Sequence, residues 1–301
     1  MTRTNNVSTI SKIINIILRV VKPKLLLKWV FKNPPRSNSP LNVTAKFSKK
    51  YLIKYHMVGG TESMTASPIN RESSIHIVYL HGGAYILGKN GVGRSEEFIS
   101  RLIEGTEAKV TFIDYPVAPE TCFTTTLASV YGTYIHLCAE YENDSFVFVG
   151  DSAGGGLALS LAQKVRDETF VRKPVKLVLF SPWIDLSMGD PRIKEQEKKD
   201  FVLSKEALIY AAEQYAGPEN VMNPLVSPIY GDLSEIGESL IFFGTSELFY
   251  PDGLRLKEIA EENNYDIHLR FYNEMPHVWV LMPFPETKQA LKESFDFILT
   301  Y

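Results

Sequence analysis

Apolar residues along this chain fall into two kinds of run. Short continuous runs at Ile75–Leu80, Lys109–Ile113, Phe146–Val149, Val175–Phe180, Leu240–Phe243 and Ile267–Tyr272 have strand length and predict buried strands. The stretches between them, around residues 94–104, 122–140, 153–167, 253–263 and 286–299, have helical character. Strands alternating with helices predict an α/β fold, a mostly parallel sheet covered by helices on both faces. In such a sheet the loops at the carboxyl ends of the strands share one crevice, so chemistry is expected just after each apolar run.

Two regions break the alternation. Residues 188–228 hold a charged run, Lys194 to Asp200, followed by a helical stretch from Lys205 to Tyr215, and read as an insertion lying over the sheet. Near the start, Ile10, Ile13, Ile14, Ile17, Leu18 and Val21 recur at helical spacing with Lys12, Arg19, Lys22 and Lys24 among them; Pro23 interrupts the pattern and Leu25 to Phe31 resumes it. Arg19 breaks the apolar run, which is too short to span a bilayer, and no small-residue cleavage site follows.

Charge sharpens the second point. Residues 1–61 hold twelve of the 32 Lys and Arg and none of the 35 Asp and Glu, although the whole chain of 301 residues is only −3. The basic segment is expected either to pack as two helices over the acidic remainder, the simpler reading, or to make weak membrane-surface contact through its amphipathic face. A content of 45% hydrophobic and 22% charged residues excludes disordered and fibrous classes. Cys122 and Cys138 lack partners at metal-ligand spacing, which fits reduced thiols and a cytoplasmic setting. No metal, organic cofactor or nucleic-acid partner is expected.

The most chemical pattern is Gly150-Asp151-Ser152-Ala153-Gly154, between a predicted strand and a predicted helix. A strand that reverses sharply into a helix strains the residue at the bend, and glycines two before and two after remove side chains that would collide. Ser152 is therefore the candidate nucleophile, its hydroxyl at a helix N-terminus that favours developing negative charge. After the first strand, His81-Gly82-Gly83 offers backbone N–H groups without obstructing side chains, so Gly82, Gly83 and the N–H of Ala153 are the expected oxyanion donors. Of the six histidines only His277 lies in a loop just past the last strand, where the order serine, acid, histidine puts the base. Two carboxylates follow the strand ending at Phe243: Glu247, nearer the strand end and preferred, and Asp252, an alternative acid also explained as a first-turn helix carboxylate.

These motifs resemble those of the hormone-sensitive-lipase-like esterases, a branch of the α/β-hydrolases, over residues 75–280. Besides His81-Gly82-Gly83 and the segment around Ser152, the resemblance rests on Asp114-Tyr115-Pro116-Val117-Ala118-Pro119-Glu120, Ser181-Pro182-Trp183-Ile184-Asp185-Leu186 and Asn223-Pro224-Leu225-Val226-Ser227-Pro228. It implies an α/β-hydrolase core over 51–187 and 229–301, with residues 1–50 and 188–228 as the two parts of a helical cap. Pro116 stands where the family usually has arginine, Phe123-Thr124-Thr125 replaces Phe-Pro-Ala, and Glu247 replaces aspartate. The expected activity is serine carboxylesterase action on small-molecule esters of short to medium acyl chain. The alternatives are a non-catalytic small-molecule-binding protein on the same fold, or an amidase or peptidase. A trypsin-like reading of Gly150-Asp151-Ser152 fails, because those enzymes place histidine and aspartate before the serine.

Overall fold

Six of the strands read from apolar runs form the middle of the sheet in the computed structural model, which describes residues 2–4, 7–37, 39–88 and 95–300. In chain order the elements are β1 (Thr2–Thr4), α1 (Thr9–Val21), α2 (Lys24–Lys32), α3 (Ala45–Ser48), β2 (Tyr51–Val58), β3 (Thr61–Pro68), β4 (Ile75–Leu80), α4 (Ser95–Thr106), β5 (Lys109–Asp114) and α5 (Phe123–Glu140). There follow β6 (Ser145–Asp151), α6 (Ala153–Arg166), β7 (Lys176–Phe180), α7 (Ile193–Gln196), α8 (Lys205–Ala216), β8 (Glu238–Gly244), α9 (Tyr250–Asn263), β9 (Ile267–Tyr272) and α10 (Glu286–Leu299). Residue 94, the expected start of the helix after β4, lies outside the described residues.

The nine strands pair in the order β1-β9-β8-β7-β6-β4-β5-β3-β2, parallel except where β3 meets β2 and β5. Because side chains alternate across a strand, each inner strand feeds two cores. Val78, Phe146, Phe148, Leu179 and Phe243 point to one face, under α5 and α6, while Ile77, Val147, Val149, Phe180 and Phe242 point to the other, under α4 and α10. Every residue of β4 is buried, so the strand reads as continuously apolar rather than alternating.

Within residues 188–228, α8 packs against α2. Lys24 Nζ donates to the carbonyls of Glu197 at 3.1 Å and Asp200 at 2.7 Å, and Lys28 pairs with Glu206. The N-terminal segment is not helical throughout, since Thr2–Thr4 add a parallel strand beside β9. Nor does α1 pack by its apolar stripe. Its buried residues are Ser11 and Asn15, tied to Glu286 and to the Glu274 carbonyl, while Ile10, Ile13 and Ile17 face outward. Hydrogen bonds, more than apolar burial, hold this helix to the core, with Ile14 and Leu18 only partly buried beside them.

Candidate active site

The turn from β6 into α6 places Ser152 at φ 52° and ψ −122°, outside the regions an L-residue ordinarily occupies. Strain of this kind costs about 1–3 kcal/mol and persists only where the surroundings over-determine it. Here the Ser152 N–H donates to the Phe180 carbonyl at 2.9 Å, and the Ser152 carbonyl accepts from the Trp183 N–H at 2.9 Å. Close approach explains the flanking glycines. A Cβ on Gly154 would overlap the Leu80 and His81 carbonyls, and one on Gly150 would lie 2.5 Å from the Gly154 oxygen.

His277 follows β9 in a loop stitched to the loop after β8: Thr245 N–H donates to the Tyr272 carbonyl at 2.9 Å and Ser246 N–H to the Met275 carbonyl at 3.1 Å. Its Nε2 lies 2.9 Å from Ser152 Oγ and its Nδ1 2.7 Å from Glu247 Oε2. Glu247 Oε1 accepts the Gly244 N–H at 2.6 Å. Phe249 presents its ring to the imidazole edge-to-face, with centroids 5.0 Å apart. The structure thus brings together Ser152, His277 and Glu247, three residues far apart in sequence. Asp252 is elsewhere: it is buried in the first turn of α9, among Asp185, Asp190, Arg192 and Arg255, and neither carboxylate oxygen has a hydrogen bond among the described residues.

Burial dominates the electrostatics. It lowers the His277 pKa to about 4, against an upward pull from the Asp200 and Asp151 carboxylates. Burial likewise pushes the Glu247 carboxyl well above its usual range, opposed by the Gly244 N–H and the Ser181 hydroxyl. With Glu247 ionised and His277 neutral, the proton sits on Nδ1 and the Nε2 lone pair faces the serine hydroxyl. Asp200 is raised to about 6 by burial, although Oδ1 accepts from Val202 and Leu203 N–H at 2.7 and 2.8 Å and Oδ2 from Leu248 N–H at 2.7 Å. Asp151 is also raised to about 6 by burial, and its Oδ1 accepts from the Tyr79 hydroxyl at 2.7 Å.

The turn after β4 is tightly bound. Gly83 has φ +123°, which suits glycine, and Ala84 and Tyr85 continue it at φ 54° and 59°. The buried His81 ring stacks on Tyr115 with centroids 4.3 Å apart, while its Nδ1 meets the Gly82 carbonyl at 2.6 Å. The Gly82 amide helps to stabilise the Asp151 carboxylate, and a Cβ at Gly82 would overlap that side chain, while one at Gly83 would lie 2.6 Å from the Leu87 carbonyl oxygen. The turn after β4 is tied to the segment around Pro116 by a residue from the N-terminal part of the chain. Arg36 donates to the Ile86 and Ala118 carbonyls, each at 2.7 Å, and forms a two-point pair with Glu120.

Sequence reading missed Asp200, Ser181 and Arg36. Asp200 closes a charged run that looks like a solvated face, and Arg36 acts across 50 residues or more, so neither carries a local signal; Ser181 stands at the end of an apolar strand, the one place where position alone could have marked it. Two side-chain groups among the described residues have the spacing to hold a cation: His56, His136 and Glu140, and Glu238, Asp266 and His268. Neither includes a residue of the Ser152 site.

Comparison with known proteins identifies the fold and the family. Residues 77–281 match the model of a family described as having the alpha/beta hydrolase fold. The chain is 30% identical over 229 residues to an esterase of Acinetobacter venetianus, covering 73% of each protein. It is 29% identical over 236 residues to an acetyl-hydrolase of Streptomyces hygroscopicus, covering 76% of this chain and 77% of that one. Among solved structures, a hormone-sensitive-lipase homologue from a metagenome library superposes with a TM-score of 0.80 at 25% identity, covering 96% of this chain and 97% of that one.

Proposed function

We propose, for a chain that belongs to the hormone-sensitive-lipase-like esterases of the α/β-hydrolase family, that it hydrolyses carboxylic esters of short to medium acyl chain through an acyl-enzyme on Ser152. The observation that carries this reading is the continuous hydrogen-bonded line from Ser152 Oγ to His277 at 2.9 Å and on to Glu247 at 2.7 Å. As Oγ attacks the ester carbonyl, Nε2 takes its proton; Glu247 fixes the tautomer and stabilises the imidazolium. The carbonyl oxygen, now negative, is held by the amides of Gly83 and Ala153, with Gly82 sharing its amide with Asp151. Losing one such donor typically lowers turnover by about 10² to 10³. His277 then returns the proton to the leaving alkoxide, and water, deprotonated by the same imidazole, releases the acid.

Residues 1–50 and 188–228 act as the cap in this reading, joined where α2 meets α8. Tyr215 of α8 stacks on Tyr85 in the turn after β4 with centroids 3.6 Å apart, a contact that ties the cap to the oxyanion turn.

The test is turnover of nitrophenyl esters of increasing acyl length by the native protein and by Ser152→Ala, with covalent labelling by a serine-directed phosphonate. Native protein should label once and prefer short to medium esters; the variant should not label and should lose about 10⁴-fold or more in kcat. Retained turnover in the variant overturns the mechanism. A maximum on long-chain, emulsified esters overturns the substrate class.

A further inference from the structure

Helix α1 is mounted with its polar side inward. Ser8 N–H donates to Glu286 Oε1 at 2.7 Å, the Ser11 hydroxyl also bonds Glu286, and Asn15 donates to the Glu274 carbonyl at 2.9 Å. Facing solvent are Ile10, Ile13, Ile16, Ile17, Val20 and Val21, each more than half exposed, with Val20 at 76%. At the 100° per residue of an α-helix these six positions cover an arc of about 140°. Leu25, Leu26 and Trp29 extend the patch onto α2, exposed by 72%, 66% and 66%. Past Ile10 the apolar surface continues into a groove of about 1010 Å³ whose walls include Phe284, Leu291 and Phe295. A surface helix normally turns such a stripe inward, and exposed apolar surface on this scale marks an interaction site.

Charge selects the occupant. Lys12 is exposed beside the stripe and Lys22 just past the end of α1, while Arg19 lies farther round with its guanidinium 5.8 Å from the Phe201 ring centroid; residues 1–61 contain twelve Lys and Arg with no Asp or Glu. Two copies meeting twofold at this face would press like charges together, since the segment offers no acid to pair with them. A bilayer surface with anionic headgroups supplies both an apolar layer for the stripe and negative charge for its basic rim. No helix among the described residues is long and apolar enough to cross a membrane, so the helix lies on the surface rather than through it. We propose that α1 and α2 form an interfacial docking face for anionic lipid bilayers, with Ile13, Ile17, Val20 and Trp29 inserted and Lys12 and Lys22 at headgroup level. The inference is independent of the chemistry at Ser152.

The full chain is to be sedimented with phosphatidylcholine vesicles, with and without phosphatidylglycerol, while tryptophan emission is followed. Trp29 is exposed whereas Trp183 and Trp279 are fully buried, so insertion should appear as a blue shift from Trp29 and vanish in Trp29→Ala. Binding to the anionic vesicles should be at least about tenfold tighter than to the neutral ones. Ile13→Gln with Ile17→Gln should weaken it by about tenfold or more. Lys12→Gln and Lys22→Gln should each weaken it by about fivefold on anionic vesicles only. Unchanged thermal midpoints show that the variants are folded. The proposal is overturned by equal affinity for both vesicles, by absence of binding, or by a concentration-dependent dimer that the double isoleucine variant dissociates.

Discussion

Replacing Glu247 by Gln keeps the side chain's volume but turns one acceptor into a donor. In the native arrangement Oε1 receives the Gly244 N–H at 2.6 Å and Oε2 the His277 Nδ1–H at 2.7 Å. A glutamine has one oxygen for these two donors. Aimed at His277, it leaves the buried Gly244 N–H against an NH₂, which costs about 1–3 kcal/mol. Aimed at Gly244, it presents the NH₂ to Nδ1, and His277 adapts simply by moving its proton to Nε2. The second arrangement wins, and in it Nε2 has no lone pair for the Ser152 proton. The expected loss in kcat is about 10⁴-fold, as for a wrong-tautomer histidine in serine hydrolysis, with KM nearly unchanged because Glu247 lies behind the imidazole. Stability supplies an independent sign. The folded-state pKa of Glu247 is raised, so its contribution is fully present below the unfolded value near 4.5 and is lost as pH rises through the folded value. The native Tm minus the variant Tm should therefore shrink from pH 5 to pH 8. Kinetics on a nitrophenyl ester and melts across that range check both. A variant within tenfold of native kcat, or a Tm difference that grows with pH, would refute the reasoning.

Asp200→Asn removes one of the two charges that raise the His277 pKa. Native kcat/KM should fall as pH drops through about 4, where the His277 imidazole takes up a proton, and the variant, with one carboxylate fewer to favour the imidazolium, should move its acid limb to lower pH with kcat down about tenfold; an unmoved profile assigns Asp200 a purely structural role. Arg36→Gln breaks the bonds to the Ile86 and Ala118 carbonyls. Its ion pair with Glu120 is partly exposed and contributes little, so the expected loss is about 2 kcal/mol from the charge-assisted carbonyl bonds, read as a lower Tm, with about tenfold in kcat as the Gly83 turn loosens; unchanged kcat separates the turn from Arg36.

The inner sheet was legible because strands buried on both faces read as unbroken apolar runs, as Ile75–Leu80 does. The edge was not. β3 reads Thr-Glu-Ser-Met-Thr-Ala-Ser-Pro, and it is held in part by polar contacts: Thr65 meets His56 at 2.8 Å and Thr111 at 2.6 Å, and Thr111 meets His76 at 2.7 Å. A strand buried through hydroxyls leaves no hydrophobic signature. For α1, periodicity located the helix correctly but not its orientation, since Ser11 and Asn15 turn inward only because Glu286 and the Glu274 carbonyl await them. The three side chains joined by hydrogen bonds, Ser152, His277 and Glu247, were legible as candidates from chain order and strand ends. Asp200 and Arg36 were not, because their roles arise only once distant segments meet.

Asp200 also ties the inserted segment to the rest of the fold. Asp200 belongs to the inserted segment, yet its carboxylate binds the N–H of Leu248, the neighbour of Glu247, and Gln196 Nε2 donates to the Thr245 carbonyl at 2.6 Å. On its other side the Asp200 carbonyl receives Lys24 of α2. A single covalent unit therefore links the N-terminal helices to the acid loop through hydrogen bonds, with no need for contact between them. Because hydrogen bonds to buried charges weaken steeply when misaligned, displacement of α2 must be absorbed either at the part-buried Lys24 bond or at the buried Asp200–Leu248 bond. The less buried one yields first, since water reaches it more readily. The acid loop is thus insulated from motions of α1 and α2, which fits a docking face that holds the protein at a surface without altering the alignment of His277.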